Sequence, residues 1–168
     1  MSLINIALIG CGGVARRYRR AYTQIAGARV AVTIDVDGEE AAAAAREMRA
    51  PKASTNIEDG LGARIDAVVI STPNHLHCDH AIRALKAGKH VLLQKPMATT
   101  VSECDAILKA RDEAGCTLAM YMNLLDHPLF HDLRDLVHSG HLGTIALYSA
   151  RLAHRGGLQW DGVDRKWR

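Results

Sequence analysis

The sequence predicts an α/β protein in which residues 1–123 form a doubly wound parallel sheet. Three observations indicate this fold class. β-branched apolar runs alternate along the chain with segments of helical character. The runs are continuously apolar, which is typical of parallel strands that helices cover on both faces. A glycine-rich turn joins the first run to the first helix, and sheets of this class bind ligands at such turns.

The predicted elements follow a regular order of strand, turn and helix. Gly10 ends the first apolar run, and the alanine block at 41–45 favours a helix. Gly88 stops the helix after the fourth strand, and Thr100 or Ser102 can cap the next one. In chain order, we predict strands at 4–9, 30–34, 52–54, 66–70, 91–93 and 117–121, and helices at 14–25, 39–48, 75–87 and immediately before Gly115.

The end of the chain has a different pattern. Residues 128–139 are predicted to form a helix, and residues 144–153 a strand with mixed alternation. The tail at 155–168 is rich in Gly, Asp, Arg and Trp and has little regular pattern. No later strand is available to pair with 144–153, so this part of the chain does not form a self-contained sheet.

Composition excludes several classes of protein. With 168 residues, 48% of them hydrophobic and 23% charged, the chain can bury a core and is not intrinsically disordered. No stretch approaches the roughly 20 apolar residues that a membrane span needs. Residues 1–10 lack the basic start of a signal peptide. We therefore expect a cytoplasmic protein without a membrane partner.

Charge and cysteine spacing give little indication of a macromolecular partner. The net charge is only +3, and no nucleic-acid reader motif accompanies the basic cluster Arg16, Arg17, Arg19 and Arg20. We interpret that cluster as a solvated helix face and expect no nucleic acid. The four cysteines form no CxxC pair, so reduced thiols are favoured over disulfides or structural zinc.

Histidine spacing does not predict a metal site either. His75, His77 and His80 lie at the start of a helix, where their side chains would diverge. His127 and His131 are four residues apart on a predicted helix, but no third ligand lies nearby. We predict no metal.

The glycine-rich turn matches G-x-G-x-x-A, the alanine form of a dinucleotide-binding fingerprint. Gly10 allows a tight turn after the strand, and Gly12 lets backbone N–H groups approach a pyrophosphate. Ala15 is small enough for the helix to pack on the sheet, and the helix N-terminus attracts phosphate. Asp35 ends the second strand, 20 residues beyond Ala15, where a carboxylate can bind both ribose hydroxyls of NAD. These features predict NAD, with NADP as the alternative if Arg16 or Arg17 reaches a 2′-phosphate.

Two further segments follow strands four and five, at the edge where ligands bind in such sheets. The first is Ser-Thr-Pro-Asn-His-Leu-His at 71–77, and the second is Gln-Lys-Pro at 94–96. Their prolines fix the backbone, so we expect Asn74, His77 and Lys95 to point into a cleft. An ammonium group beside a nicotinamide can polarise a substrate hydroxyl, which makes Lys95 the candidate catalytic residue.

Taken together, these segments resemble the glucose-fructose oxidoreductase/inositol dehydrogenase/MocA (Gfo/Idh/MocA) family. The ordered segments are IALIGCGGVA, the acidic Asp35, STPNHLH and GKHVLLQKPMATT, and AGCTLAMYMNLLDHPLF resembles the family's passage into its second domain. The resemblance implies NAD(P)-dependent hydride transfer on a sugar, cyclitol or related polyol, with Lys95 between nicotinamide and substrate. It implies these cofactor-binding residues: Gly10, Gly12, Gly13, Val14, Ala15, Asp35, Ser71, Thr72, Pro73, Asn74, His77, Gln94, Lys95 and Asn123.

The sequence also departs from the family pattern. Gln94 stands where the family usually has Glu, and Leu125 stands where it often has Arg. Family members are about twice as long, so we predict a dinucleotide-binding domain at 1–123 and the truncated start of an α+β second domain at 124–168. That second domain supplies the family's catalytic His. We therefore expect this chain to be poorly active alone, and we expect a homo-oligomer through the exposed edge of strand 144–153.

Two other functions remain open on the sequence. A non-catalytic NAD-binding module, or a degenerate family member, is consistent with Gln94, Leu125 and the short chain. A nucleic-acid-binding protein would need the Arg16–Arg20 cluster to contact phosphates with salt-dependent affinity.

Overall fold

The computed structural model describes residues 3–122, 125 and 127–151. Its internal contacts divide the chain into two units, Met1–Tyr121 and Met122–Arg168. The predicted domain boundary after residue 123 lies next to this division, but residues 123 and 124 are outside the described part, so the boundary stays a prediction. No helix among the described residues is long and apolar enough to cross a membrane.

The first unit contains one sheet of six parallel strands with the spatial order β3-β2-β1-β4-β5-β6. The strands are β1 (Ile4–Ile9), β2 (Ala28–Ile34), β3 (Lys52–Ser54), β4 (Ala67–Ile70), β5 (His90–Gln94) and β6 (Leu118–Tyr121). This is the strand order of the doubly wound Rossmann fold, in which the chain reverses direction across the sheet between β1 and β4. The predicted fold class is therefore confirmed.

Four helices connect these strands, and their ends follow from local sequence. They are α1 (Ala15–Tyr22), α2 (Gly38–Met48), α3 (His77–Lys86) and α4 (Val101–Ala114). Asp37 caps α2 by accepting hydrogen bonds from the N–H groups of Glu39 and Glu40. Thr100 and Glu103 form a capping box at the start of α4, and Gly115 ends that helix in the left-handed conformation. The predicted α1 is too long at its carboxyl end, because the helix ends at Tyr22.

Side chains on the two faces of the sheet form two apolar clusters. Ala7 and Ile9 of β1 face one cluster, and Leu8 between them faces the other, as the two-residue period of a strand requires. Leu85 from α3 and Ile107 from α4 belong to the first cluster, whereas α1 and α2 contribute to the second. Both faces are buried, so the continuously apolar strand sequences have a direct structural cause.

The second unit has one helix among its described residues, α5 (Pro128–His138). The His127 side chain caps it by accepting a hydrogen bond from the Leu129 N–H at 3.2 Å. The strand predicted at 144–153 is wrong over its described part, because residues 144–151 have no strand conformation. A strand needs a hydrogen-bonded neighbour, and no described residue supplies one to this segment. The expected strand edge for homo-oligomers is therefore missing from the described chain.

Candidate functional site

The carboxyl ends of β1, β2, β4 and β5 bring the predicted site residues to one edge of the sheet. Gly10 follows β1 with a φ of +85°, and a Cβ at this position would lie 2.6 to 2.7 Å from backbone atoms of Ser71 and Thr72 after β4. The Ser71 N–H also donates to the Ile9 carbonyl at 2.8 Å. Only glycine fits here, both for its conformation and for this close approach.

The rest of the glycine loop is open on one side and continues into α1. A Cβ at Gly12 would meet no atom within 4 Å, so the space beside this residue is open. Gly13 has a φ of +32°, and Val14 precedes the first residue of α1. Ala15 is buried against the sheet, which agrees with the predicted need for a small residue. The loop thus leads directly into the N-terminus of a helix.

Asp35 lies at the end of β2 beside the glycine loop. One carboxylate oxygen, Oδ2, accepts a hydrogen bond from the Cys11 N–H at 2.7 Å, and Oδ1 accepts one from the Asp37 N–H at 3.0 Å. Each oxygen keeps a second lone pair that can accept from another donor. The carboxylate therefore already helps to hold the loop, and binding of ribose hydroxyls by Asp35 stays a prediction.

Cys11, the residue between the first two glycines, is fully buried. Burial, together with the Asp35 charge, raises the pKa of the Cys11 thiol to about 12. The thiol donates to the Ile34 carbonyl at 3.4 Å. A thiol in this state is not a nucleophile, so Cys11 is a packing residue under the loop.

After β4, the chain bends at Thr72, and residues Asn74–Leu76 form one turn of 3-10 helix before α3. Asn74 is exposed, whereas Ser71, Thr72 and Pro73 are partly buried. The Thr72 hydroxyl lies 3.3 Å from Nδ1 of His80, and burial lowers the pKa of that imidazole. This segment therefore lies next to Gly10, at the carboxyl edge of the sheet where it was predicted.

His77 differs from its prediction. Its side chain is fully buried, with Nε2 2.9 Å from the Thr72 carbonyl oxygen and Nδ1 2.7 Å from the Pro96 carbonyl oxygen. The expectation that His77 points into an open cleft is wrong, because both ring nitrogens face backbone carbonyls. His77 instead links the loop after β4 to the loop after β5, and direct contact with a cofactor stays a prediction.

Gln94, the last residue of β5, is buried, whereas Lys95, which follows it, is exposed. Gln94 is 8% exposed, and its Oε1 accepts a hydrogen bond from the Lys95 N–H at 2.9 Å. The Lys95 side chain is exposed and forms no ion pair with any residue in the described part of the chain. The peptide bond between Lys95 and Pro96 is cis. The amide of Gln94 thus accepts a hydrogen bond from the backbone that carries the candidate catalytic lysine.

Two predicted features of the following segment have different outcomes. Asn123 lies outside the described residues, so nothing is added to its prediction. Leu125 is described and is 62% exposed. Within residues 3–122, 125 and 127–151, no three His, Cys, Asp or Glu side chains lie close enough to hold a metal ion.

The sequence interpretation missed one part of this edge, a polar network behind the glycine loop. Arg19 of α1 is only 5% exposed, so the solvated-face interpretation of the arginine cluster is wrong at this position. Its guanidinium donates to the Cys11 carbonyl, to Oε2 of Glu40 at 3.0 Å and to Oε2 of Glu47 at 3.3 Å. Arg16 also donates to Glu40, at 3.2 Å, and these hydrogen bonds lower the pKa of the Glu40 carboxyl.

Comparison with protein families agrees with this geometry. The model of the oxidoreductase family GFO_IDH_MocA, described as an NAD-binding Rossmann fold, matches residues 4–122. The chain belongs to the Gfo/Idh/MocA oxidoreductase family. The resemblance inferred from the ordered motifs is therefore confirmed, as is the prediction of an NAD-type cofactor.

Similar proteins in this family include sugar and cyclitol enzymes. The chain is 33% identical to 1,5-anhydro-D-fructose reductase of Ensifer adhaerens, over 81% of its own length and 41% of that protein. It is 34% identical to inositol 2-dehydrogenase 2 of Saccharopolyspora erythraea, over 83% of its length and 42% of that protein. The structure of levoglucosan dehydrogenase in complex with NADH superposes with a TM-score of 0.79 at 28% identity, covering 84% of this chain and 41% of that one. The chain thus spans about two fifths of the length of these relatives.

Proposed function

We propose that residues 3–122 form the cofactor-binding region of an NAD-dependent oxidoreductase that transfers a hydride to or from a sugar, cyclitol or related polyol. One observation carries the proposal. At the carboxyl edge of the sheet, the glycine loop is bonded to Asp35 and lies against the backbone of Ser71 and Thr72, and His77 links the Thr72 carbonyl to the Pro96 carbonyl next to Lys95. The names of the relatives support the substrate class, since they include a reductase of an anhydro sugar and an inositol dehydrogenase.

The residues at this edge fit a dinucleotide in three respects. The open space beside Gly12 and the N-terminus of α1 suit a pyrophosphate. The Asp35 carboxylate suits ribose hydroxyls, because it retains acceptor capacity after bonding the backbone. When bound, NAD supplies a nicotinamide ring that exchanges a hydride with the substrate carbon.

Lys95 would assist the accompanying proton transfer. Its exposed ammonium group has no ion-pair partner among the described residues, so it is available to a substrate hydroxyl or carbonyl oxygen. A positive charge at that oxygen favours the alkoxide character that develops during hydride transfer. Gln94 keeps the Lys95 backbone in place through its side-chain oxygen without adding a negative charge.

Asp35 and Glu40 favour NAD over NADP. A carboxylate beside the adenosine ribose repels a 2′-phosphate, and Asp35 is positioned for this role by its bonds to the loop. The hydrogen bond from Arg16 to Glu40 and the charge of Glu40 raise the pKa of the Arg16 guanidinium, and the Asp35 charge adds less. The guanidinium that would attract a 2′-phosphate is therefore already paired.

Calorimetric titration of the 168-residue chain with NAD and with NADP tests this proposal. We expect micromolar NAD binding that weakens by about tenfold or more in Asp35→Ala, since a charged hydrogen-bond acceptor is lost. Asp105→Ala removes an exposed carboxylate from α4 and serves as the matched control. Absence of binding by either dinucleotide, in a chain that remains folded, would overturn the proposal.

Turnover separates this proposal from a non-catalytic NAD-binding module. Gln94 stands where the family usually has Glu, and Leu125 stands where it often has Arg, and these two departures favour slow turnover. We expect little reduction of NAD with inositols and anhydro sugars, and a further loss in Lys95→Met. Unchanged NAD binding without turnover on any substrate, even in Gln94→Glu, would favour the module.

We also propose a cytoplasmic protein that self-associates through its second unit. Exposed apolar side chains on α5, such as Leu133 and Val137, would gain from burial against a second copy. Sedimentation at micromolar concentration should show dimers or larger species that Leu133→Glu reduces. A monomer throughout that range would contradict self-association.

A further inference from the structure

Charged side chains hold both backbone polar groups of Cys11, the N–H that precedes its Cα and the carbonyl that follows it. The Asp35 carboxylate accepts from the Cys11 N–H at 2.7 Å, and the Arg19 guanidinium donates to the Cys11 carbonyl. Hydrogen bonds to ionised groups are about twice as strong as those between neutral groups. The glycine loop is therefore fastened from β2 on one side and from α1 on the other.

Arg19 is itself held in place by α2. Glu40 and Glu47 accept from its two terminal nitrogens at 3.0 and 3.3 Å, and these residues lie 21 and 28 positions away in sequence. The side chain is 5% exposed, and its Nε has no hydrogen-bond partner in the described part of the chain. A buried arginine with an unpaired nitrogen contributes little to stability, because the cost of removing its charge from water offsets its attraction to the carboxylates. Its position under the loop suggests a different use.

The geometry of a trans peptide links Arg19 to the ligand side of the loop. The carbonyl of one residue and the N–H of the next point in opposite directions in a single plane. The Cys11 carbonyl points to the buried guanidinium, so the Gly12 N–H points away from it. No described residue accepts a hydrogen bond from the Gly12 N–H, and the space beside Gly12 is open.

We propose that Arg19 is a positioning residue that aims the Gly12 N–H at the pyrophosphate of the dinucleotide. The inference rests on the proposed function of dinucleotide binding. Without the guanidinium, the flexible Gly12–Gly13 segment would sample other peptide orientations, and phosphate binding would have to select the correct one. Arg19 thus acts through the loop backbone and makes no ligand contact itself.

Calorimetry with NAD and residue-resolved amide hydrogen exchange test this role on the full 168-residue chain. Arg19→Met keeps the apolar stem and removes the guanidinium, whereas Arg19→Lys keeps the charge but places all its donors on one nitrogen and so lacks the planar fork of the guanidinium. Arg20→Met is the matched control, because it removes the same charge from an exposed position of the same helix. Exchange is measured without ligand at Cys11 and Arg16, whose N–H groups donate to Asp35 and to the Gly12 carbonyl, and, for comparison, at Val68–Ile70 in central β4.

In Arg19→Met, we expect NAD to bind about tenfold more weakly and the loop amides to exchange faster, with β4 amides unchanged. Arg19→Lys should lie between this variant and the native chain, and Arg20→Met should match the native chain within about twofold. If Arg19→Met unfolds, its β4 amides also lose protection, and Arg19→Lys then decides the outcome. NAD affinity and loop exchange within twofold of native in a folded Arg19 variant would overturn the role, as would an equal loss in Arg20→Met. If the native chain does not bind NAD, the proposed function fails, while the exchange comparison still tests whether Arg19 orders the loop.

Discussion

Residues 3–121 and residues 122–151 differ in what they do with apolar side chains. The first unit buries apolar residues on both faces of its sheet, including Leu85, Leu93 and Ile107. In the second unit no described residue is buried, and eleven large apolar side chains are exposed, among them Phe130 and Leu147. The same kind of residue thus stabilises the first unit and leaves the second with uncovered apolar surface. An isolated helix of 11 residues, such as α5, is only marginally stable in water, and no described residue of its unit forms a core with it.

The largest expected difference concerns two glycines with similar backbone conformations. Gly10 in the first unit has a φ of +85°, and Gly140 in the second has a φ of +76°. Gly10→Ala should lower the free energy of unfolding by about 4 kcal/mol or more, because the new Cβ would overlap the backbone of Ser71 as well as strain φ. Urea denaturation followed by circular dichroism measures this loss.

Gly140→Ala is the control for backbone strain alone, since its Cβ would meet no atom within 4 Å. We expect a change in global stability below about 0.5 kcal/mol, because this region contributes little to the cooperative core. Equal losses in the two variants would mean that both units unfold together, and the contrast between them would no longer hold.

A second comparison uses two leucines on helices. Leu85 on α3 is fully buried, whereas Leu133 on α5 is 44% exposed. Leu85→Ala should cost about 2–5 kcal/mol, the range for a cavity in a packed core. In the dissociated chain, Leu133→Ala should change stability by less than about 0.5 kcal/mol. A loss that appears only as the protein concentration rises would agree with burial of Leu133 against a second copy, whereas a large loss at every concentration would contradict its exposure in the single chain.

The sequence predicted the fold of the first unit well because its signals are local. Each parallel strand is a continuous apolar run, and glycines or capping residues mark the ends of α2 and α4. The strand predicted at 144–153 failed over its described part because strand formation depends on a pairing partner, which a single segment does not reveal. An apolar pattern in the sequence therefore predicts a strand correctly only where other strands are present to pair with it.

The candidate site was predicted in the same uneven way. The positions of Gly10, Asp35 and Lys95 at the ends of strands were predicted correctly because the strands are continuous apolar runs, and their roles stay predictions. Arg19 and His77 were misread because their environments come from distant segments: α2 carboxylates surround Arg19, and the Pro96 carbonyl lies beside His77. Sequence spacing therefore located the residues at the edge of the sheet but not those that hold the loops behind it.

Helix caps give a third, smaller comparison. The Thr100 hydroxyl accepts from the Glu103 N–H at 3.2 Å at the start of α4, and His127 has the corresponding role in α5. Thr100→Ala should lower the free energy of unfolding by about 1 kcal/mol, since α4, which packs one face into the core, loses its N-terminal cap. His127→Ala should reduce the helicity of α5 without moving the global urea midpoint. Matching shifts of the urea midpoint in both variants would instead mean that α4 and α5 unfold together.

The smallest expected effect concerns acid pH and two ion pairs. Hydrogen bonds from Arg16 and Arg19 lower the pKa of Glu40 from its ordinary value of 4.5. A carboxyl with a lowered pKa stabilises the folded chain above its ordinary value, and this contribution disappears as the pH falls through the lowered value. Glu40→Gln should therefore be less stable than the native chain at neutral pH, and the difference should shrink below about pH 4.5.

The matched pair in the second unit is Arg134 and Asp135, whose side chains are 60% and 69% exposed at an Nη2–Oδ1 distance of 2.9 Å. Solvent screens such a pair, so Asp135→Asn should leave the unfolding free energy unchanged at every pH. Urea titrations of both variants from neutral pH to about pH 3 measure the two differences against the native chain. A Glu40→Gln difference that persists at the lowest pH would mean that packing of the side chain, and not its charge, carries the contribution. In that case, side-chain packing would stabilise the polar network behind the glycine loop, and the network would differ from the exposed pair on α5 only in how deeply its side chains are buried.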